Sequence, residues 1–102
     1  MIKITAKFLK SFDQKSKGLV GKEEIENVYF ETRFGIHTFI MKKAIDVVIL
    51  NDKSRVVKLK SGLQPNKIFL WNPRFYRVLE LKKGEIIKKK IMQNSVLDLR
   101  LF

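Results

Sequence analysis

Apolar and polar positions alternate with period two along much of this chain, the periodicity of strands with one face on a core. Ile2-Lys3-Ile4-Thr5-Ala6-Lys7-Phe8 shows it at the start, and Ser95-Val96-Leu97-Asp98-Leu99-Arg100-Leu101 shows it at the end. Between them, residues 26–31 and 36–41 are short β-prone runs, with Thr32-Arg33-Phe34-Gly35 as the turn. Ile45-Asp46-Val47-Val48-Ile49-Leu50 is apolar nearly throughout and β-branched, which suits a central strand covered on both faces. A polar turn at Asn51-Asp52-Lys53-Ser54 leads into residues 55–60, so 45–60 reads as a β-hairpin.

Pro65 and Pro73 bracket residues 66–72, which places that stretch in a loop or an edge strand, because proline lacks the donor a central strand needs. Residues 77–81 read as another strand, stopped by Lys82-Lys83-Gly84. Ile86, Ile87 and Ile91 are spaced for one or two helical turns. Residues 13–22 read as a short helical turn and a loop, with Asp13 as its N-cap and Gly18 or Gly21 at positive φ. Six to eight short strands with frequent turns predict a mainly β fold: a small β-sandwich or barrel with one or two short helical turns. At 102 residues it is one domain, 1–102.

Composition removes whole classes of chemistry. With no cysteine, thiolate nucleophiles, disulfides and Cys-based metal sites are excluded. With one histidine, the multi-histidine zinc sites of hydrolases are excluded as well. No cofactor is implied. No apolar run reaches the roughly 18 residues of a membrane span, and the first residues lack the apolar stretch of a signal peptide, so the expectation is a cytoplasmic protein without a membrane partner.

Charge adds the strongest bias. The net charge is +12, and it is uneven: residues 1–52 carry 9 basic and 7 acidic side chains, residues 53–102 carry 13 and 3. Such a field attracts polyanions. Lysine supplies 17 of the 22 cations, a bias also found in proteins of heat-loving organisms, whereas specific phosphate or base readout favours arginine.

Residues 18–84 carry a longer pattern. It runs from Gly18-Leu19 through Tyr29-Phe30, Thr32-Arg33-Phe34-Gly35-Ile36-His37-Thr38-Phe39-Ile40-Met41, Ile45-Asp46-Val47-Val48-Ile49-Leu50 and Arg55-Val56-Val57, then Leu63 with Pro65, and Val78-Leu79-Glu80-Leu81 before Gly84. In order and spacing, over about two-thirds of the chain, it resembles the family known as domain of unknown function 192. The resemblance implies a compact, mostly β domain with a jelly-roll-like or barrel-like arrangement, and no established activity. Val20 stands where methionine is frequent, and Gln93-Asn94-Ser95 replaces a Gly-Asp turn.

Three functional expectations follow. The first is a small non-catalytic β-domain that binds an unidentified small molecule or protein in a cleft drawing on Arg33, His37, Met41, Asp46, Trp71 and Glu80. The second is sequence-independent binding of RNA or DNA through Lys58, Lys60, Lys67, Arg74, Arg77, Lys82, Lys83, Lys88, Lys89 and Lys90. The third is a small hydrolase in which Asp46 and Glu80 line one cleft beside His37. No serine sits in a nucleophile elbow and no glycine-rich phosphate loop is present, so no catalytic residue is assigned. Structural roles compete with each reading: His37 bonded to neighbouring backbone, the two carboxylates held by arginine or by turn amides, and Phe69, Trp71 and Phe75 filling the core.

Overall fold

The computed structural model describes residues 1–10, 27–39 and 41–102. The expectations placed on 13–22, including Asp13, Gly18 and Gly21, lie outside the described residues.

Among the described residues eight strands form: β1 (Ile2–Phe8), β2 (Val28–Glu31), β3 (Gly35–His37), β4 (Ile45–Leu50), β5 (Val56–Leu63), β6 (Ile68–Leu70), β7 (Arg77–Lys82) and β8 (Leu97–Leu101). A short helix, α1 (Glu85–Lys88), follows β7. Six strands make a curled sheet in the order β5-β4-β7-β2-β1-β8, and β3 with β6 forms a separate two-stranded ribbon. The hairpin expected over 45–60 is present as β4 paired antiparallel with β5. β1 pairs parallel with both β2 and β8, an arrangement that alternation alone does not specify.

The sheet curls far enough for its edges to meet at one end. An Arg55–Val96 bridge joins them, with Val56 N–H donating to Ser95 O at 2.8 Å and Leu97 N–H to Ser54 O at 2.9 Å. The result is a half-barrel, and two cores follow from it. Inside the curl lie Ile4, Ala6, Tyr29, Val48, Leu50, Val56, Leu79, Leu81 and Leu97, closed at one end by Ile86 and Ile91. Outside, beneath the ribbon, lie Val28, Phe30, Ile45, Val47, Ile49 and Val78 with Leu9, Met41, Leu63, Phe69 and Trp71.

β4 serves both cores, which is why all six of its residues are buried and why its sequence is apolar rather than alternating. β1 has only one covered face, so it keeps the alternation: Ile4 and Ala6 are buried, while Lys3, Thr5 and Lys7 face solvent. The stretch between the two prolines does form an edge strand, β6, in the ribbon. The run expected over 36–41 is shorter as strand, because Thr38 leaves the ladder to pin a turn.

Candidate functional site

Thr38 holds the ribbon in place. Fully buried, its hydroxyl donates to Gln64 O at 2.7 Å and accepts from Lys67 N–H at 2.8 Å, while its own N–H donates to Lys67 O. This joins the end of β3 to the start of β6. Across the ribbon Gly35 pairs with Leu70, Ile36 with Phe69, and His37 with Ile68. Cross-strand partners share a face. Ile36 and Phe69 therefore turn inward to the outer core, and Gly35, His37, Ile68 and Leu70 turn outward.

The outward face is unusually apolar. Ile68 and Leu70 are each 61% exposed, Phe34 at the ribbon's end is 67% exposed, and Phe39 is 44% exposed. His37 stacks on Phe39 with ring centroids 4.7 Å apart, and its Nδ1 accepts from Phe39 N–H at 3.3 Å. Gly35 leaves room for Leu70 here: a Cβ at that position would sit 2.5 Å from Leu70 Cδ2 and 2.7 Å from Phe69 O. Cations border the strip. Lys58 Nζ donates to Leu70 O at 2.6 Å and lies 4.9 Å from the Phe69 ring centroid. Lys67 precedes Ile68 and is exposed. Arg33 precedes Phe34, donates to Pro73 O at 2.7 Å, and stacks on Tyr76 at 4.9 Å.

The carboxylates behave differently. Asp46 is fully buried, and its oxygens accept three backbone N–H bonds: Gly62 at 2.8 Å on Oδ1, Gly84 at 3.0 Å and Ile86 at 2.9 Å on Oδ2. It ties β4 to the irregular stretch of β5, where Gly62 has φ +68, and to the entry of α1, where Gly84 has φ +95. Glu80 lies on the other face of the sheet. It is in register with Val28 and Val47, both of the outer core, whereas Asp46 is in register with Leu81 of the inner one.

The hydrolase arrangement is thereby corrected. The two side chains sit on opposite sides of a β-sheet and line no common cleft, and His37 is out on the ribbon. Glu80 is 8% exposed and makes no hydrogen bond or ion pair among the described residues. Burial pushes its carboxyl up to about 7.

The other expected residues divide. Met41 and Trp71 belong to the outer core, and Trp71 Nε1 donates to Phe75 O at 2.8 Å, so together with Phe69 they fill the core. The structure therefore does not gather His37, Met41, Asp46, Trp71, Glu80 and Arg33 into a single cleft. Arg77 is half-buried at the mouth of the half-barrel. It donates to Tyr29 Oη at 2.9 Å, Asn51 O at 2.8 Å and Ser54 Oγ at 3.1 Å, so it holds the protein together rather than facing solvent. Tyr29 in turn donates to Glu31, and burial raises its phenol to about 12 against the lowering effect of Arg77. Lys60, Lys82, Lys83, Lys88 and Lys90 are exposed, and Lys89 makes a loose ion pair with Glu85 at 4.0 Å.

Nothing in the sequence alone marks Phe34, Phe39, Ile68 and Leu70 as exposed. In strands that flank a core, an exposed isoleucine looks the same as a buried one. The only signal was that Ile68 and Leu70 flank Phe69 with period two, so that both cannot share its face.

Among the described residues, no three His, Asp or Glu side chains cluster as metal ligands, and no helix is long and apolar enough to cross a membrane. Fold and surface together define a class: a small, mainly β half-barrel domain with an exposed apolar ribbon. The chain belongs to the family named domain of unknown function 192, described as an uncharacterized ACR, whose model matches residues 2–99. No curated protein matches it.

Two solved structures share the fold. One is a protein of unknown function from Novosphingobium aromaticivorans DSM 12444, with TM-score 0.72 and 17% identity over 90% of this chain and 70% of that one. The other is a candidate transcription regulator from Sinorhizobium meliloti 1021, with TM-score 0.71 and 12% identity over 85% of this chain and 74% of that one.

Proposed function

We propose that this domain binds single-stranded nucleic acid on the outward face of the β3–β6 ribbon. The observation that carries the reading is the exposure there of Phe34, Phe39, Ile68 and Leu70, with His37 stacked on Phe39, in a chain of net charge +12. Several large exposed apolar side chains on one small ribbon mark a contact surface. Charge selects among partners. Arg33, Lys58 and Lys67 border the strip, and a polyanion gains from each of them.

A single strand offers unpaired bases to stack on exposed rings, each worth about 1–3 kcal/mol, whereas a duplex hides them. The lysines of the second half, from Lys60 to Lys90, supply the longer-range field that speeds encounter. The Sinorhizobium protein's description as a candidate transcription regulator is compatible with such a role, although at 12% identity the likeness is one of fold.

The test is a titration with single-stranded RNA, single-stranded DNA and duplex DNA at two salt concentrations. The reading expects single strands to bind more tightly than duplex, with affinity falling as salt rises in proportion to the phosphates neutralised. No binding of single strands at low salt would end it, and would leave the strip to a protein partner.

A further inference from the structure

Among the described residues, a cleft of about 440 Å³ opens between the β4–β5 turn and the loop that enters β7. Leu50, Val57, Phe75 and Tyr76 line it, and Asp52 and Arg74 bring one carboxylate and one guanidinium to it. The backbone around the cleft is fixed. Asn51 Oδ1 accepts from Lys53 N–H at 2.9 Å and from Arg55 N–H at 3.0 Å, while Asn51 O accepts from Arg77 at 2.8 Å. On the other side, Asn72 Oδ1 accepts from Arg74 N–H at 3.0 Å, and Phe75 O accepts from Trp71 Nε1.

Against these fixed walls the two charged side chains are idle. Both are exposed, neither is engaged by another described group, and they do not pair with each other. An unpaired acid next to Lys53, in a chain this basic, sits badly with polyanion binding unless it has a donor of its own to meet. Fixed walls that mix aromatic and polar surface, with a few unengaged polar groups converging on them, suit a ligand that is itself part ring and part polar edge.

The cleft adjoins the ribbon. Arg33 stacks on Tyr76 and donates to Pro73 O, and the next residue is Phe34. Tyr76 lines the cleft, so Arg33 links the ribbon's end to its wall. The inference that follows rests on the single-strand reading above. Of the four RNA bases only guanine presents two adjacent donors, N1–H and the exocyclic amine, on one edge, and these match the two oxygens of a carboxylate. Adenine, cytosine and uracil each place an acceptor beside their donor and so meet a carboxylate with one bond and one repulsion.

We propose that this cleft seats one guanine nucleotide of the bound strand, with Asp52 accepting the two donors of the base, Tyr76 and Phe75 covering its ring, and Arg74 holding its phosphate. The domain then binds single strands generally through the ribbon and prefers those carrying guanine through the cleft.

Fluorescence anisotropy with two labelled RNA oligonucleotides of equal length tests this. One is oligouridine; the other carries guanosine at every third position. The wild-type protein is expected to bind the guanosine-containing strand roughly tenfold or more tightly, the discrimination of one bidentate pair. Asp52→Asn replaces one acceptor oxygen by a donor amide. It is expected to bring the ratio to about one, with oligouridine affinity unchanged or slightly higher, and thermal melting reports that the exposed turn still folds. Equal affinity of the wild type for the two strands, or a guanine preference that survives Asp52→Asn, overturns the cleft assignment and leaves the ribbon reading standing. Failure of the wild type to bind either strand at low salt overturns the ribbon reading and the cleft with it.

Discussion

Asp46 and Glu80 face away from each other across the central sheet: Glu80 is in register with Val47, the residue after Asp46, so one acid enters the inner side of the half-barrel and the other the outer. The same residue type has opposite surroundings in the two places. Asp46 is surrounded by N–H donors, whereas Glu80 lies among valines.

Asp46 accounts for three otherwise orphaned amides. Asp46→Ala removes the acceptor from Gly62, Gly84 and Ile86 at once, each left with a desolvation cost of about 1–3 kcal/mol less what water recovers. We expect a loss of roughly 3–5 kcal/mol in chemical denaturation, large against the stability of a domain this size. Asp46→Asn, which keeps one carbonyl oxygen, is expected to lose less. A change under about 1 kcal/mol for the alanine variant contradicts the assignment.

Glu80 makes stability depend on pH in a fixed direction. Its carboxyl is raised from 4.5 to about 7 in the fold, so between those values the folded state holds a proton that the unfolded state has released. Glu80's contribution to stability is therefore fully present below about 4.5, is lost as pH rises toward about 7, and is flat beyond, with a ceiling of about 3 kcal/mol for the whole drop. Glu80→Gln carries no such proton. The difference in denaturation midpoint between variant and wild type is expected to shift in the variant's favour as pH rises from 4.5 to 7. A constant difference across that window counts against an ionisable, unpaired Glu80.

Arg77 and Lys67 separate the structural cations from the surface ones. Arg77→Ala removes donors to Tyr29 Oη, Asn51 O and Ser54 Oγ and is expected to cost about 2–4 kcal/mol of stability. Lys67→Ala keeps the backbone N–H that bonds Thr38 and is expected to leave the melting temperature within a degree or two while weakening RNA binding severalfold at low salt. The opposite pattern would reverse their roles.

Much of this was legible in the chain and part was not, for physical reasons. β4 and its hairpin were readable because a strand buried on both faces must be apolar throughout, and β1 because a strand buried on one face must alternate. The flanking prolines left residues 66–72 as loop or edge strand, and 68–70 form the edge strand, while the local bond of His37 followed from its lack of partners. The parallel neighbours of β1 were not readable, since pairing over that sequence distance depends on the whole topology. Nor was the separation of Asp46 from Glu80: both stand inside apolar strands, and only the register between β4 and β7 assigns their faces. Arg77 reads as one more surface cation until the curl of the sheet carries it to the mouth of the half-barrel.

Gly35 offers a structural control on the ribbon. Gly35→Ala places a methyl group 2.5 Å from Leu70 Cδ2 and 2.7 Å from a backbone oxygen that cannot move freely. We expect it to separate β3 from β6 and to weaken RNA binding without disturbing the six-stranded sheet. Loss of amide protection confined to Gly35–His37 and Ile68–Leu70 in hydrogen exchange would show this, whereas unchanged protection there would contradict the tight packing.

The most direct test removes the exposed rings. Phe34→Ala with Phe39→Ala takes away two exposed aromatics and leaves every cation in place. Affinity for a single-stranded RNA, measured against the wild type at two salt concentrations, is expected to fall by about tenfold or more, at roughly 1–3 kcal/mol per stacked base, with the salt slope and the melting temperature unchanged. Binding equal to that of the wild type would show that charge alone holds the strand, and would contradict a stacking surface on the ribbon.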